Sequence, residues 1–227
     1  MDVRAVFFDA VGTLFDLAQP VGTVYAREAS RFGVVADPED LERKFRKSFR
    51  EAPPLAFPGA SERELDRLER DWWKNLVRRV FRDHEFPRFE KFFAELYEGF
   101  ATPRWWKVHP RTNPTLRTLR SHGLVLGIVS NFDHRLERLL EALDLRRYFD
   151  SVVVSSRAGF AKPDPRIFRL ALRSHGIRPA QALHVGDSPE EDLAGARAAG
   201  LHGLLVDPLE GPAGAVAFLG LLLPRLS

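Results

Sequence analysis

The feature that most constrains the fold is a regular alternation of helical and strand patterns between residues 111 and 207. A helical pattern at 115–122 ends at Gly123. After it, short apolar runs of strand length at 124–130, 151–156, 182–187 and 203–207 are separated by helical patterns at 133–143, 164–176 and 189–200. Such a succession predicts a parallel sheet with right-handed crossovers and helices on both faces, the α/β, Rossmann-like class.

The first strand of this sheet lies far from the others, at the N-terminus. The run Ala5 to Phe8 is apolar and has the length of a buried parallel strand. Between it and residue 104 the patterns are helical, at about 20–32, 37–50, 61–83 and 87–99, with Ser61 and Glu64 forming a capping-box signature. The sequence therefore predicts a core domain of residues 1–16 and 104–227, with an all-helical cap of residues 17–103 inserted after the first strand.

Composition narrows the function classes. The chain of 227 residues has no cysteine, which excludes disulfides, thiolate metal sites and cysteine nucleophiles. Its net charge of +3 comes from basic residues that alternate with acidic ones along helical patterns, which is typical of solvated faces and gives no sign of nucleic-acid binding. The apolar run 213–223 is too short to span a bilayer. We expect a cytoplasmic protein with no membrane partner, and the sequence leaves its oligomeric state open.

Polar residues follow the strands of the predicted sheet. The first strand ends in Asp9, the second in Ser130 and Asn131, the third leads into Lys162, and the fourth is followed by Asp187 and then Asp192. The carboxyl ends of parallel strands share one edge, where open α/β sheets bind ligands. A carboxylate nucleophile, a hydroxyl, an ammonium group and further carboxylates suit phosphoryl transfer through an aspartyl intermediate with Mg²⁺ held by oxygen ligands.

In this order the motifs resemble those of the haloacid dehalogenase-like superfamily. The matches are Asp9 with Gly12, Thr13 and Leu14, then Ser130, then 162–164, then Gly186 and Asp187 with Asp192. The resemblance covers nearly the whole chain. It implies that Asp9 is the nucleophile and a metal ligand, that the carbonyl of Val11, Asp187 and Asp192 complete the Mg²⁺ site, and that Ser130, Asn131 and Lys162 bind phosphate. The expected substrate is a small phosphorylated metabolite.

One departure from the family pattern bears on the reaction. Phosphatases of this superfamily usually carry a second aspartate two residues after the nucleophile, as general acid and base, and here that position is Val11. A general acid or base contributes on the order of 10²- to 10⁴-fold in rate. Two alternatives therefore stay open. Haloacid dehalogenases also lack the second aspartate, because halide leaves without a proton, and a catalytically weak metal- and phosphate-binding interaction protein would not need it.

Several other side chains are weaker candidates for a catalytic or substrate-binding role. The aromatic residues of the helical segment either form its core or line a substrate pocket, and the spacing favours the core; they are Trp72, Trp73, Phe86, Phe89, Phe92, Phe93, Trp105 and Trp106. His84, His109 and His134 are possible replacements for the missing acid, although a lone histidine is more often a surface residue. Asp133 is expected to cap the helix that follows it.

Overall fold

A five-stranded parallel sheet forms the centre of the molecule. The computed structural model describes residues 2–207 and 211–222, with the side chains of residues 221 and 222 left out. The strands are β1 (Ala5–Phe8), β4 (Val125–Ser130), β5 (Ser151–Val154), β6 (Ala182–Gly186) and β7 (His202–Leu205), and they stand in the order β5, β4, β1, β6, β7. The predicted α/β fold with a parallel sheet is confirmed.

The N-terminal strand lies in the middle of the sheet because β1 is apolar on both faces. Its four residues are fully buried, and Phe8 pairs with Ile128 on one side and with Val185 on the other. Two apolar clusters of buried side chains cover the two faces of the sheet. A strand with helices on both sides must read as a continuous apolar run, and AVFF does so.

Crossover helices join the strands and carry local signals that the sequence shows. They are α5 (Thr112–Ser121), α6 (Arg135–Ala142), α7 (Ser155–Ala158), α8 (Pro165–Arg173) and α9 (Gly195–Ala198), and a further helix, α10 (Gly214–Leu222), follows the last strand. Asp164 caps α8 by accepting the N–H of Arg166, with Pro165 in the first helical position. Of the apolar run at 213–223, residue 223 lies outside the described part, as do residues 208–210 and 224–227 of the predicted core domain.

The predicted strand at 151–156 and the predicted helix at 189–200 differ from the structure in their kind of backbone, whereas the helices predicted at 61–83 and 164–176 end three residues early, at Val80 and Arg173. The strand expected at 151–156 ends at Val154, and Ser155 begins a helical turn. Both serine hydroxyls have partners that an extended strand would not give them, since Ser155 donates to the carbonyl of Leu55 at 2.6 Å and Ser156 donates to Glu69 at 2.6 Å. The helix expected at 189–200 begins with a π-helical turn, Pro189–Ala194, before α9.

Four helices lie between β1 and the rest of the sheet in the chain. They are α1 (Val21–Ser30), α2 (Pro38–Glu51), α3 (Glu62–Val80) and α4 (Phe89–Gly99), and they enclose an apolar cluster of their own. Glu64 accepts hydrogen bonds from both the N–H and the hydroxyl of Ser61 at the start of α3. The division into a core domain and a cap of residues 17–103 stays a prediction.

A small antiparallel pair flanks this helical segment and was not expected. Strand β2 (Phe15–Leu17) pairs with β3 (Trp106–Val108), so the chain enters and leaves the helical segment through two hydrogen-bonded strands. Three-residue strands this far apart in sequence leave no periodic signal. In the part of the chain that the structure describes, no helix combines the length and the hydropathy of a bilayer-spanning segment.

Candidate active site

The carboxyl edge of the sheet brings three of the predicted polar residues together. Asp9 follows β1, Ser130 is the last residue of β4, and Asp187 follows β6. The N–H of Asp9 donates to the carbonyl of Val185 at 2.9 Å, which extends the β1–β6 ladder by one residue. Parallel pairing therefore places all three at one edge, with Asp9 and Ser130 buried.

Lys162 occupies the centre of this edge. Its side chain is buried, and its Nζ lies 2.7 Å from Oδ1 of Asp9 and 2.5 Å from Oδ1 of Asp192. Burial by itself lowers the pKa of this ammonium group, but the charges of the two carboxylates outweigh burial and raise the pKa above its ordinary value. Lys162 is therefore a charged group that links Asp9 to Asp192.

Asp192 has both carboxylate oxygens engaged by the protein. Oδ1 accepts from Lys162 and lies 2.8 Å from Nε2 of His184, and Oδ2 accepts the N–H of Ser188 at 3.0 Å. Burial alone raises the pKa of this carboxyl group, whereas the His184 contact and the Lys162 charge together hold it below the ordinary range. Asp192 thus fixes the position of Lys162 beside Asp9.

Asp187 differs from Asp192, because burial and neighbouring negative charges, and not cationic partners, dominate its pKa. Burial first, and then the charges of Asp9 and Asp192, raise its pKa from 3.8 to about 6. Carboxylate oxygens of Asp9, Asp187 and Asp192 all lie within 4.8 Å of one another. A carboxylate that is partly buried among like charges is stabilised by a bound cation, and oxygen ligands of this kind suit Mg²⁺.

Two glycines make room for these carboxylates. Gly12 has φ +83°, and a Cβ placed there would lie 2.5 Å from Oδ2 of Asp187. A Cβ at Gly186 would lie 2.1 Å from Cγ of Asp192. Both distances are shorter than any side chain tolerates, so the turn after β1 and the end of β6 fit the acidic cluster only with glycine at these positions.

Asn131 contacts the Lys162 loop through both ends of its amide. Its Oδ1 accepts the N–H of Lys162 at 2.7 Å, while its Nδ2 donates to the Lys162 carbonyl and to Glu191, each at 3.0 Å. In this structure the side chain therefore positions the Lys162 backbone. Its predicted contact with phosphate stays a prediction, as do the predicted roles of Ser130 and of the Val11 carbonyl.

An apolar cavity of about 270 Å³ lies against this site. Val11 and Asn131 line it on the side of the sheet, and helices α1 to α4 supply most of the remaining wall. Its aromatic residues include Tyr25, Phe45, Trp73, Phe93, Tyr97 and Trp106. The expected preference of the aromatic residues for the core is confirmed, since Phe92, Phe93 and Trp105 are buried in the helical cluster and Trp72, Trp73, Phe86 and Phe89 pack against it. Trp73, Phe93 and Trp106 also line the cavity.

Two other sequence expectations have structural outcomes. Asp133 accepts the N–H of Arg135, as a capping residue does, but it is also fully buried and binds the Arg135 guanidinium and Nε1 of Trp73. His134 contacts the buried carboxylate of Glu69 on α3. That contact occupies Nδ1 of His134 at the junction of α3 with the core. Its role as a replacement for the missing acid stays a prediction.

Sequence reasoning missed two buried charged or polar residues. His184 holds Asp192, and its only signal was a polar residue inside the apolar strand ALHVG. Arg135 lines the cavity with its guanidinium centred 3.6 Å from the Tyr97 ring centroid. The sequence offered no sign of it, because an arginine on an amphipathic helix is usually exposed.

Comparisons with known proteins give matches in sequence and in fold. The profile of the haloacid dehalogenase-like hydrolases matches residues 3–200. The mouse haloacid dehalogenase-like hydrolase domain-containing protein 3 is 41% identical over 92% of this chain and 85% of its own. A phosphoserine phosphatase from Thermus thermophilus is 35% identical over 70% of each chain. The crystal structure of a dehalogenase superposes with a TM-score of 0.67 at 25% identity, covering 90% of this chain and 85% of the other.

Proposed function

The chain belongs to the haloacid dehalogenase-like hydrolases, and within that family we propose that it is a Mg²⁺-dependent phosphohydrolase of small phosphorylated molecules. The observation that carries the proposal is the acidic cluster. Its three carboxylates, Asp9, Asp187 and Asp192, face a single ammonium group from Lys162, which leaves a formal excess of negative charge at one point. A divalent cation complements that excess, and a phosphate group then finds positive charge from the cation and from Lys162.

Asp9 is the residue we assign to nucleophilic attack. Lys162 donates to its Oδ1, and we therefore assign Oδ2 as the attacking oxygen. Attack forms the bond from Oδ2 to phosphorus and breaks the bond from phosphorus to the leaving oxygen, which departs with its electron pair. Water then hydrolyses the aspartyl-phosphate and regenerates the carboxylate. Lys162 and Ser130 bind the remaining phosphate oxygens during both steps.

The residues that would hold Mg²⁺ are Asp9 and Asp187, with the Val11 carbonyl and with Asp192 nearby. When bound, the ion neutralises phosphate charge and makes attack by a carboxylate electrostatically feasible. The fit rests on the close approach of the carboxylates and on Gly12, whose missing side chain leaves the space that Asp187 occupies.

Val11 sets the expected range of substrates. It offers no proton to a leaving alkoxide and no base to an attacking water. Phosphate esters of ordinary alcohols should therefore react slowly, whereas acyl phosphates and aryl phosphates, whose leaving oxygens are weakly basic, should react faster. The phosphoserine phosphatase relative supports phosphate chemistry, and its named substrate belongs to the slower class.

The test is hydrolysis of p-nitrophenyl phosphate and of a panel of acyl and alkyl phosphates by purified protein, with Mg²⁺ and with EDTA. We expect Mg²⁺-dependent release of phosphate that is strongest for acyl and aryl substrates. The Asp9→Asn variant is the matched control, because it keeps the size and polarity of the side chain and removes the nucleophile. Inactivity of the wild-type protein on every phosphate would contradict the proposal.

Dehalogenation is the second candidate, because Val11 and the dehalogenase structural neighbour both favour it. Halide release from 2-chloropropionate in EDTA would establish it. Asp187 counts against it, because a partly buried carboxylate beside Asp9 repels the carboxylate of a haloacid. A protein that binds Mg²⁺ yet turns over neither kind of substrate would instead be an interaction protein.

A further inference from the structure

We propose that the cavity beside Val11 binds the leaving group of the substrate, and that this group is an aromatic ring carried by an acyl or aryl phosphate. The proposal rests on the proposed phosphohydrolase function and specifies its substrate class. The cavity and the acidic cluster meet at Val11, two residues after Asp9, and at Asn131, which holds the Lys162 backbone. A phosphate at Asp9 would therefore carry its substituent beside the part of the wall that Val11 and Asn131 form.

The chemistry of the wall favours an uncharged, apolar occupant. Among the described residues that line the cavity, only Arg135 carries a charge. All three nitrogens of its guanidinium group already donate hydrogen bonds within the protein. Nε and Nη2 donate to Asp133 at 2.9 and 2.7 Å, and Nη1 donates to the carbonyl of Tyr97 at 2.8 Å. The charge is thus neutralised within the protein. A substituent with its own ammonium and carboxylate groups, such as that of phosphoserine, finds no free ionic partner on this wall.

The size of the cavity agrees with a single ring and its linking atoms. A cavity of about 150 Å³ lined by apolar side chains accepts benzene, and this one measures about 270 Å³. Phe49 lines it and is 45% exposed, so the wall extends to a residue that also contacts solvent. Aromatic walls provide edge and face contacts to a ring.

One polar atom of a wall residue lacks a partner. The buried hydroxyl of Tyr97 makes no hydrogen bond within the described residues. Leaving a buried hydroxyl unsatisfied is costly. The oxygen is closed to the cavity in this structure, so Tyr97 contributes its ring, and not its hydroxyl, to the wall.

The reaction needs no protein acid for such substrates. The bond from Asp9 to phosphorus forms as the bond from phosphorus to the carboxylate or phenolate oxygen breaks, and the anion leaves with the electron pair. Benzoate leaves without a proton, and solvent protonates a phenolate after it departs. Val11 thus gives an apolar contact to the ring at the position where related phosphatases carry an acid.

The decisive comparison is between acetyl phosphate and benzoyl phosphate, which share the reacting anhydride and differ in one ring. Burying a ring is worth about 10- to 100-fold in affinity, so we expect kcat/KM for benzoyl phosphate to exceed that for acetyl phosphate by this factor. Hydrolysis of both at equal kcat/KM would overturn the cavity proposal and leave the phosphohydrolase function standing. Hydrolysis of neither would overturn the function.

A binding assay with phosphonates that are not hydrolysed tests the proposal independently of turnover. Phenylphosphonate and methylphosphonate are not hydrolysed, and Trp73 and Trp106 in the wall report binding by fluorescence. In the presence of Mg²⁺ we expect phenylphosphonate to bind about 10- to 100-fold more tightly. Equal dissociation constants would overturn the proposal whatever the activity assays give.

Cavity-filling variants test whether the preference for benzoyl phosphate over acetyl phosphate arises in this cavity. Val21→Trp places an indole where α1 borders the cavity, and it should reduce the benzoyl-to-acetyl ratio of kcat/KM towards one. Val35→Trp is the matched control, since Val35 is 90% exposed and does not line the cavity, and it should keep the wild-type ratio. Val77→Phe fills the cavity from α3 and serves if Val21→Trp does not fold. An unchanged ratio in both filling variants would overturn the proposal.

Discussion

Lys162→Met tests whether the buried ammonium group compensates the acidic cluster. In the wild-type protein Nζ lies 2.7 Å from Asp9 and 2.5 Å from Asp192, and the lysine is 4% exposed. Methionine has nearly the same length and keeps the apolar packing of the side chain, but it leaves both carboxylates without their shared partner. Removing one member of a buried charge pair costs about 3–5 kcal/mol of unfolding free energy.

The same loss can be stated as a melting temperature. For a domain of this size, 1 kcal/mol corresponds to about 2–4 °C, so the melting temperature in EDTA should fall by about 6–20 °C. Urea unfolding at pH 7.5 in EDTA measures the free energy directly. Mg²⁺ should stabilise Lys162→Met more than it stabilises the wild-type protein, because a cation at the cluster replaces part of the missing positive charge.

Two comparisons make this prediction refutable. Lys91→Met makes the same exchange at an exposed position on α4 and should change the unfolding free energy by less than about 0.5 kcal/mol. Adding Asp192→Asn to Lys162→Met should recover part of the loss, since one unpaired charge is then removed. If Lys162→Met and Lys91→Met are equally stable in EDTA, Lys162 does not compensate the cluster and the electrostatic account of the site is wrong.

Three further predictions concern the turn after β1 and the junction of α3 with the core. Val11→Asp should raise turnover of alkyl phosphates by about 10-fold or more while changing acyl phosphates little; equal effects in a kinetic panel would show that proton supply is not limiting. Gly12→Ala, whose Cβ would lie 2.5 Å from Asp187, should weaken Mg²⁺-induced thermal stabilisation, and an unaltered Mg²⁺ titration would contradict this. The contact with Glu69 raises the pKa of His134 above its ordinary value of 6.5. Its contribution to stability is therefore complete below pH 6.5 and is lost as the pH rises through the raised value, so His134→Gln should cost more stability at pH 6 than at pH 9 in urea unfolding. Equal losses at the two pH values would refute it.

Local sequence patterns were sufficient for the main helices and for the five strands of the parallel sheet, but not for β2 and β3. Periodicity and capping signals identified the helices near Asp37, Ser61 and Asp164, and apolar runs identified the five strands. Errors occur where a long-range contact overrides the local pattern. Ser155 and Ser156 leave the strand because their hydroxyls bind Leu55 and Glu69, which are 100 and 87 residues away.

In the candidate site, too, the sequence predicts some features and not others. Asp9, Ser130 and Asp187 were predictable because each follows an apolar run, and parallel strands bring their carboxyl ends to one edge. The side-chain contacts that join the site could not be predicted. No local pattern indicates that Lys162 binds Asp9, which is 153 residues away, or that His184 contacts Asp192.

By itself, then, the sequence determined the parallel sheet, the strand ends that carry Asp9 and Asp187, and the absence of an acid at Val11. Only the tertiary structure decided what Val11 faces. The cavity wall combines α1 to α4 with residues beside β1 and β4. Among the described residues of the wall, the one charged side chain is Arg135, and Asp133, which also binds Trp73, neutralises it. Periodicity reports which face of an element is apolar, but the surface that each face meets is set by how the elements pack together.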